Sequence, residues 1–415
     1  MASLVGVSDG NHFSISEEFS DDGIPYFRGQ DVSGAFFMEQ ATPVMIPQEV
    51  FDQKHMRRSY LEKGDVLLSI VGTIGESALF SSNHPATCSC KLAILRPKTI
   101  PAAYLAVFLK SEHGRLQVLR QTRGAIQGSL LLEDMDQILT PRFSQGFEAR
   151  IVTEVEAAQK NLTAADNCRT AAEQTLLRSL GLETWQPPEP LTYTRRASEA
   201  LAAGRLDSDY FAPRVAQLLD RLSADGLTIA DVAPARHEAF DPDNYESDTF
   251  EYIEISGLRS DGTASSETTP TDEAPSRASQ RVHANDIITS TVRPIRRLSA
   301  IITPDQTGHV CSSGFVVLHP KEIAPEVLLT YLRLPVVCEL MDLHASASLY
   351  PAISERDLLK LPIPAIDAKT TAAITQNIRA AHTARREAHA LLEKAKHAVE
   401  MAIEQGEAKA LATLK

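Results

Sequence analysis

The segment CSCKLAILRPKTIPAAYLAVFL (Cys88–Leu109) returns further along the chain as CSSGFVVLHPKEIAPEVLLTYL (Cys311–Leu332), without a gap and at an offset of 223 residues. Cys88, Ser89, Leu95, Pro97, Lys98, Ile100, Leu105 and Leu109 each meet an identical residue. The correspondence continues outward. Upstream, LEKGDVLLSIVGTIG (Leu61–Gly75) faces VHANDIITSTVRPIR (Val282–Arg296), with Asp65 against Asp286, and GIPYFRGQDVSG faces TFEYIEISGLRSDG. Downstream, LTPRFSQGFEARIV (Leu139–Val152) faces LPIPAIDAKTTAAI (Leu361–Ile374). Four segments in one order at nearly one offset predict a tandem duplication of a unit of about 220 residues, which constrains the fold before any local reading does.

Each unit divides into two parts. The first is mixed. Short β-type runs (DVLLSIVG, KLAILRP, DIITSTV, GFVVLHP) are bounded by Gly, Pro, Asn and Asp, and a short helix is expected from Pro101 to about Arg120 and from Pro325 to about Leu343. The second part is a long helix. Phe147, Ile151, Val155, Ala158, Leu162, Ala165, Ala172, Leu176 and Leu180 recur at helical spacing until Gly181 stops the run. Ile374, Ile378, Ala381, Ala388, Leu392, Ala395, Val399 and Ala402 repeat the pattern, with Arg385 filling one step. Such narrow stripes need a partner, either the helix's own mixed part or the other long helix. The expected class is therefore α+β: two similar mixed α/β domains separated by two long helices forming an antiparallel coiled coil. The boundaries are 1–145 for the first mixed domain and 146–182 for the first helix. A Pro-rich linker follows at 183–204, then the second domain at 205–365 and the second helix at 366–410. The second copy has a lead-in, GRLDSDYFAPRVAQLLDRLSADGLTIADV, with no counterpart before the first.

A chain of 415 residues exceeds one ordinary core. Its 43% hydrophobic and 23% charged content is that of a globular protein. There is no apolar run of about 18 residues, so no membrane association is expected. MASLVGVSDGNH has no basic region leading into an apolar one, so no secretory signal is expected, and five cysteines do not suggest a disulfide framework. A cytoplasmic location follows as the expectation. The net charge of −13 argues against avid nonspecific nucleic-acid binding but leaves room for local basic clefts.

Catalytic signatures are missing, so no catalytic residue, metal site or cofactor is expected. DPDNY (Asp241–Tyr245) lacks the Pro-Pro-aromatic loop of an amino-methyltransferase and reads as a turn. VGTIGES lacks the lysine of a phosphate-binding loop. Cys88 and Cys90 have no second thiolate or histidine pair and read as small strand residues. Ser260–Ser276, rich in Ser, Thr and Pro, is expected to be a long surface loop.

Two related heads on a helical spacer suit a target with two half-sites. Half-sites one turn of DNA apart lie about 34 Å apart, and 35 residues of helix span about 50 Å. The order PYFRGQDVSG, L-x-x-GDVLLSIVGTIG, CKLAILRP, YLAVFL, G-x-x-Q (Gly124–Gln127), a Pro-containing strand and a long helix resembles the target-recognition unit of the specificity subunits of type I restriction–modification systems. The core Gly64, Asp65, Leu67, Ser69, Gly72, Gly75 is its most specific element, and the resemblance covers nearly the whole chain. The second copy departs from it by reading STVRPIR for SIVGTIG, and neither copy carries the usual Glu–Gln pair after its Pro-rich strand. The resemblance implies a non-catalytic subunit with two target-recognition domains. It would bind a bipartite site in double-stranded DNA, dock DNA adenine methyltransferase subunits on its helices, and direct a restriction motor–nuclease subunit.

Candidate DNA contacts in the first copy are Lys54, Arg57 and Arg58, Ser69 and Thr73 in the glycine turn, and Arg123, Gln127 and Ser129. Lys110, Arg115 and Arg120 form a further basic group with Arg123. In the second copy they are Arg293, Arg296 and Arg297, with Ser346, Ser348 and Tyr350. Arg and Lys neutralise phosphates, and Arg, Asn and Gln also read base edges. The rival expectations are a helical adaptor that reads no DNA, favoured by the acidic balance and the second copy's lost glycines, or a specificity subunit of another DNA-modifying defence system.

Overall fold

A computed structural model describes residues 1, 3–124, 128–187, 189–346 and 351–414. The chain divides into two compact units, Met1–Thr163 with Ala384–Lys415, and Ala164–Thr383.

In the first unit β1 (Val5–Asp9), β2 (Ile24–Phe27), β3 (Val44–Ile46), α1 (Gln48–Phe51), β4 (Val66–Ser69), β5 (Ser77–Leu79), β6 (Thr87–Cys88) and β7 (Leu92–Pro97) precede α2 (Ala102–Lys110), α3 (Glu112–Arg120) and the start of α4 (Gln145–Ser179). One antiparallel sheet runs β1-β7-β4-β5. A second runs β3-β2-β6, with β2 and β6 parallel. The strands are apolar on both faces, and their two-residue period sorts them. Val66, Leu68, Ala93 and Leu95 face the helices, while Leu67, Leu92 and Ile94 face Phe27 and Phe80.

The second unit opens with α5 (Ala197–Ala203), α6 (Ser208–Phe211), α7 (Pro213–Leu222) and α8 (Ile229–Val232). β8 (Thr249–Ile253), β9 (Glu267–Pro270), β10 (Ala278–Arg281), β11 (Ile287–Ser290), β12 (Ser299–Ile301), β13 (Val310–Ser312) and β14 (Phe315–Leu318) follow, then α9 (Pro325–Leu332), α10 (Pro335–Leu343) and α11 (Glu355–Leu359). The sheet β12-β11-β14 has the pairing of β5-β4-β7, and β8 lies antiparallel to β9 and parallel to β13 as β2 does to β3 and β6. The lead-in is core-forming, burying Val215, Leu218, Leu222 and Ile229 against α9 and α10.

Two expectations are corrected. Each single short helix is a pair. In the first unit Ser111 ends α2, is buried, and caps α3 by accepting from Gly114 N. In the second unit Pro335 breaks the run, since its ring blocks helix continuation from Leu334. The Ser260–Ser276 stretch is not all loop: β9 pairs with β8, and Thr268 Oγ1 donates to Glu251 Oε1 at 2.6 Å.

The long helices α4 and α12 (Ala368–Gln405) take up their stripes as expected, but against two kinds of partner at once. In the first unit Phe147, Ile151, Val155 and Ala158 share one core with Ala388, Ala395 and Val399 and with Tyr104 and Phe108 of α2. In the second, Ala172 and Leu176 join Ile374 and Ile378 and the side chains of α9 and α10. The first half of α4 thus meets the last half of α12 and the reverse, an antiparallel pairing. Lys394 Nζ lies 3.6 Å from Glu154 Oε1, and Asn161 Nδ2 donates to Glu387 Oε2 at 3.4 Å. After Gly406, α13 (Glu407–Thr413) returns Ala410 and Leu414 to the first core. No helix among the described residues is long and apolar enough to cross a membrane.

Candidate nucleic-acid interface

In both units the site grows from a buried aspartate. Asp65 and Asp286, each at most 1% exposed, open β4 and β11. Each carboxylate closes a tight turn by accepting from a backbone N–H three residues earlier, Glu62 at 2.8 Å and His283 at 2.9 Å. The preceding residue must then enter the left-handed region, as Gly64 (φ +97°) or Asn285 (φ +69°), the two residue types that do so most cheaply. Each carboxylate is matched by a guanidinium, because a lone buried charge is costly. Arg96 of β7 donates to both oxygens of Asp65 at 2.8 Å. The equivalent column of β14 leads to His319, and Arg236 reaches Asp286 instead, at 2.9 and 3.2 Å, with His319 Nδ1 3.2 Å from the same carboxylate.

The strand opened by that aspartate ends in a serine that holds the next turn. Ser69 Oγ donates to Val71 O at 3.3 Å and Ser290 Oγ to Val292 O at 3.1 Å. In the first unit the turn passes through Gly72 (φ +85°) and Gly75 (φ +90°) and is tied by Thr73 Oγ1 to Gly29 O at 3.0 Å. In the second unit a bend one residue longer is made by Arg293 (φ +50°) and Arg297 (φ +59°), flanking a short helical turn at Pro294–Arg296. Left-handed backbone costs a non-glycine residue about 1 kcal/mol, so two arginines are held there against their preference.

A short antiparallel bridge lies against each turn. Arg123 and Ser129 exchange backbone hydrogen bonds at 2.9 and 2.8 Å, and Val71 bridges to Ser129. Ser346 and Ala352 do the same at 2.9 and 3.0 Å, Val292 bridges to Ala352, and Arg293 N donates to Pro351 O at 2.8 Å. Gln127, Ser348 and Tyr350 fall outside the described residues.

The sequence-predicted residues separate by where their side chains go. Lys54, Arg57 and Arg58 are exposed on one short helical turn whose Met56 and Ser59 point inward, and Arg58 is paired to Asp9. Arg123 is exposed and paired to Asp134. Arg115 of α3 stands beside the glycine turn: its Cγ is 3.8 Å from where a Cβ on Gly75 would lie. Lys110 is largely buried, and burial pulls its ammonium pKa down. Ser69 is fully buried, so its hydroxyl serves the turn rather than a ligand, and Thr73 is exposed with its hydroxyl already bonded. Ser129 and Ser346 make these bridges through their backbones.

Arg297 turns inward. Its guanidinium donates to Glu173 Oε2 of α4 at 2.8 Å and to Arg333 O at 2.6 Å. Arg333, buried at the end of α9, donates to the carbonyls of Arg297, Ser299 and Ser260, and burial lowers its pKa to about 10. The base of the arginine turn is therefore clamped from below. Above it, Arg293 and Arg296 line a cleft of about 420 Å³ with Arg277 and the apolar Ile255, Val292 and Leu298. Sequence reasoning misses Arg277, which follows an acidic stretch and has no basic neighbour in sequence. Three arginines, the residue type that pairs with anionic oxygens, line this one cleft. The five cysteines are unbonded thiols, and burial pushes Cys88 far up and Cys311 to about 12, away from nucleophilic or metal chemistry.

Neither a family model nor a curated protein matches the chain. Among solved structures, a type I restriction–modification S subunit from M. genitalium aligns at 12% identity over 99% of this chain and 94% of that one, with a TM-score of 0.39. The HsdS subunit from Thermoanaerobacter tengcongensis aligns at 13% over 97% and 95%, with a TM-score of 0.31. A chain from a structure described as the assembly and conformational transition of the type I R-M system aligns at 15% over 95% and 97%, with a TM-score of 0.28.

Proposed function

We propose that this chain is a non-catalytic, cytoplasmic DNA-specificity subunit of a type I restriction–modification complex, built by tandem duplication. Each unit reads one half of a bipartite target in double-stranded DNA. DNA adenine methyltransferase subunits dock on the long helices, and a motor–nuclease subunit joins for restriction. The observation that carries the reading is one framework bearing two chemically different turns: the same aspartate, serine, strand pairing and antiparallel bridge support glycines in one unit and arginines in the other. One scaffold with two faces suits a target whose halves differ. The sequence motifs shared with the specificity subunits support the same conclusion.

Co-expression with the genomic neighbour of this gene, followed by genome-wide mapping of adenine methylation, tests it. A split motif that disappears when this gene is deleted is expected; methylation at an unsplit motif, or unaffected by the deletion, would sink the reading. The unread gap is set by helix length. Four-residue insertions in both α4 and α12 add about one turn, or ~6 Å. They are expected to widen the gap by about two base pairs with both half-sites unchanged.

A further inference from the structure

Between Pro213 and Thr383, Ile295 is the one exposed large apolar side chain among the described residues, at 55%. It sits at the tip of the arginine turn. Pro294 before it is buried, Arg296 after it and Arg293 before that proline line the cleft, and Arg297 anchors the turn to Glu173 and Arg333. The first unit has an isoleucine at the matching position. Ile74 is partly buried against that unit's core, and its Cδ1 lies 3.1 Å from where a Cβ on Gly128 would stand. The same side chain is thus tucked in on one framework and held out to solvent on the other. It is held out by a backbone that keeps two arginines left-handed, and strain of that kind persists where surrounding structure fixes a functional geometry.

An exposed β-branched side chain on a clamped turn, with cleft-lining arginines before and after it in the chain, has the form of an apolar wedge. Such wedges enter a base step while flanking cations hold the phosphates. We infer that Ile295 is a wedge that unstacks one base step in the half-site read by the second unit, making that step's deformability part of the specificity. Arg293 and Arg296 hold the flanking phosphates; the first unit, with Ile74 packed away, does not distort its half-site in this manner. The inference rests on the DNA-reading function proposed above.

The test uses the assembled methyltransferase complex and duplexes carrying the mapped target. 2-Aminopurine is placed at each successive step of both half-sites, since its fluorescence rises when stacking is lost. A several-fold rise at one step of one half-site is expected with the wild-type chain. Ile295→Ala is expected to abolish the rise and weaken binding by several-fold while leaving the salt dependence unchanged, because the side chain carries no charge. Ile295→Leu is expected to keep both signals. Ile295 is exposed, so these substitutions leave the core intact. Tight binding with no responsive step, or an undiminished response in Ile295→Ala, overturns the wedge and leaves the DNA-reading function standing. The absence of any split target overturns both.

Discussion

The turn after β4 and the turn after β11 hang on one framework with opposite chemistry, the second being one residue longer. In the first, glycines make the bend, an isoleucine packs inward, and Arg115 of the adjoining helix stands beside it. In the second, arginines make the bend and an isoleucine points out. The column that holds Arg115 now holds Cys338, a buried thiol raised to about 11 by burial. Positive charge has moved from the helix into the turn. Backbone shape and charge are therefore separable in this framework. The framework is the buried aspartate, the serine and the antiparallel bridge; what the turn presents is free to change, at the cost of about 1 kcal/mol for each left-handed arginine.

That separation can be broken at its foundation. If the aspartates are the shared anchor, Asp65→Ala and Asp286→Ala each remove the acceptor that closes the buried turn and one partner of a guanidinium, and each is expected to cost about 2 kcal/mol in urea denaturation. A cost below about 1 kcal/mol at either site would show that the two anchors are not equivalent. The next largest effect concerns charge. Arg293→Ala with Arg296→Ala is expected to lower affinity for the target roughly tenfold and to reduce the slope of log K against log salt by about two, one for each phosphate released. Arg115→Ala should lower it by no more than about one, and a larger loss there would reverse the comparison. The smallest effect tests the strain directly. Gly72 is exposed, with nothing within 4 Å of where a Cβ would stand, so Gly72→Arg should fit and lose only about 1 kcal/mol of stability to its left-handed backbone. The same substitution should steepen the salt dependence of binding, making the first turn resemble the second.

Much of the framework is legible in the sequence. Leu95, Leu105 and Leu109 and their counterparts Leu318, Leu328 and Leu332 are all buried, and the helix stripes from Phe147 to Leu176 and Ile374 to Ala402 face their cores. Periodicity reports burial because burial acts on every turn of an element. The site is harder to read, for two reasons. Direction is set by partners far away in sequence: Arg297 looks like an outward cation beside Arg296, but Glu173 and the Arg333 carbonyl draw it inward. Lone residues carry no pattern: Arg277 joins the cleft from a separate loop, and Arg333 clamps the turn from a helix end that reads as ordinary core. The break between α2 and α3 escapes a sequence reading because apolar spacing runs straight through Ser111, where only the buried cap marks it.

The second unit is one continuous stretch, Ala164–Thr383, whereas the first takes in Ala384–Lys415 from far along the chain. Ala388, Ala395, Val399, Ala402 and Leu414 belong to the core of the first unit. On the ribosome, the first head emerges first but lacks part of its core, with Phe147, Ile151 and Val155 covered only by earlier residues such as Tyr104 and Phe108, until those late residues leave the exit tunnel. The second head can seal its own core before then, so order of synthesis and order of completion are reversed. A chain cut short near residue 383 therefore keeps a finished second head and carries an unfinished first one, with a sticky helix face that chaperones and proteases would find.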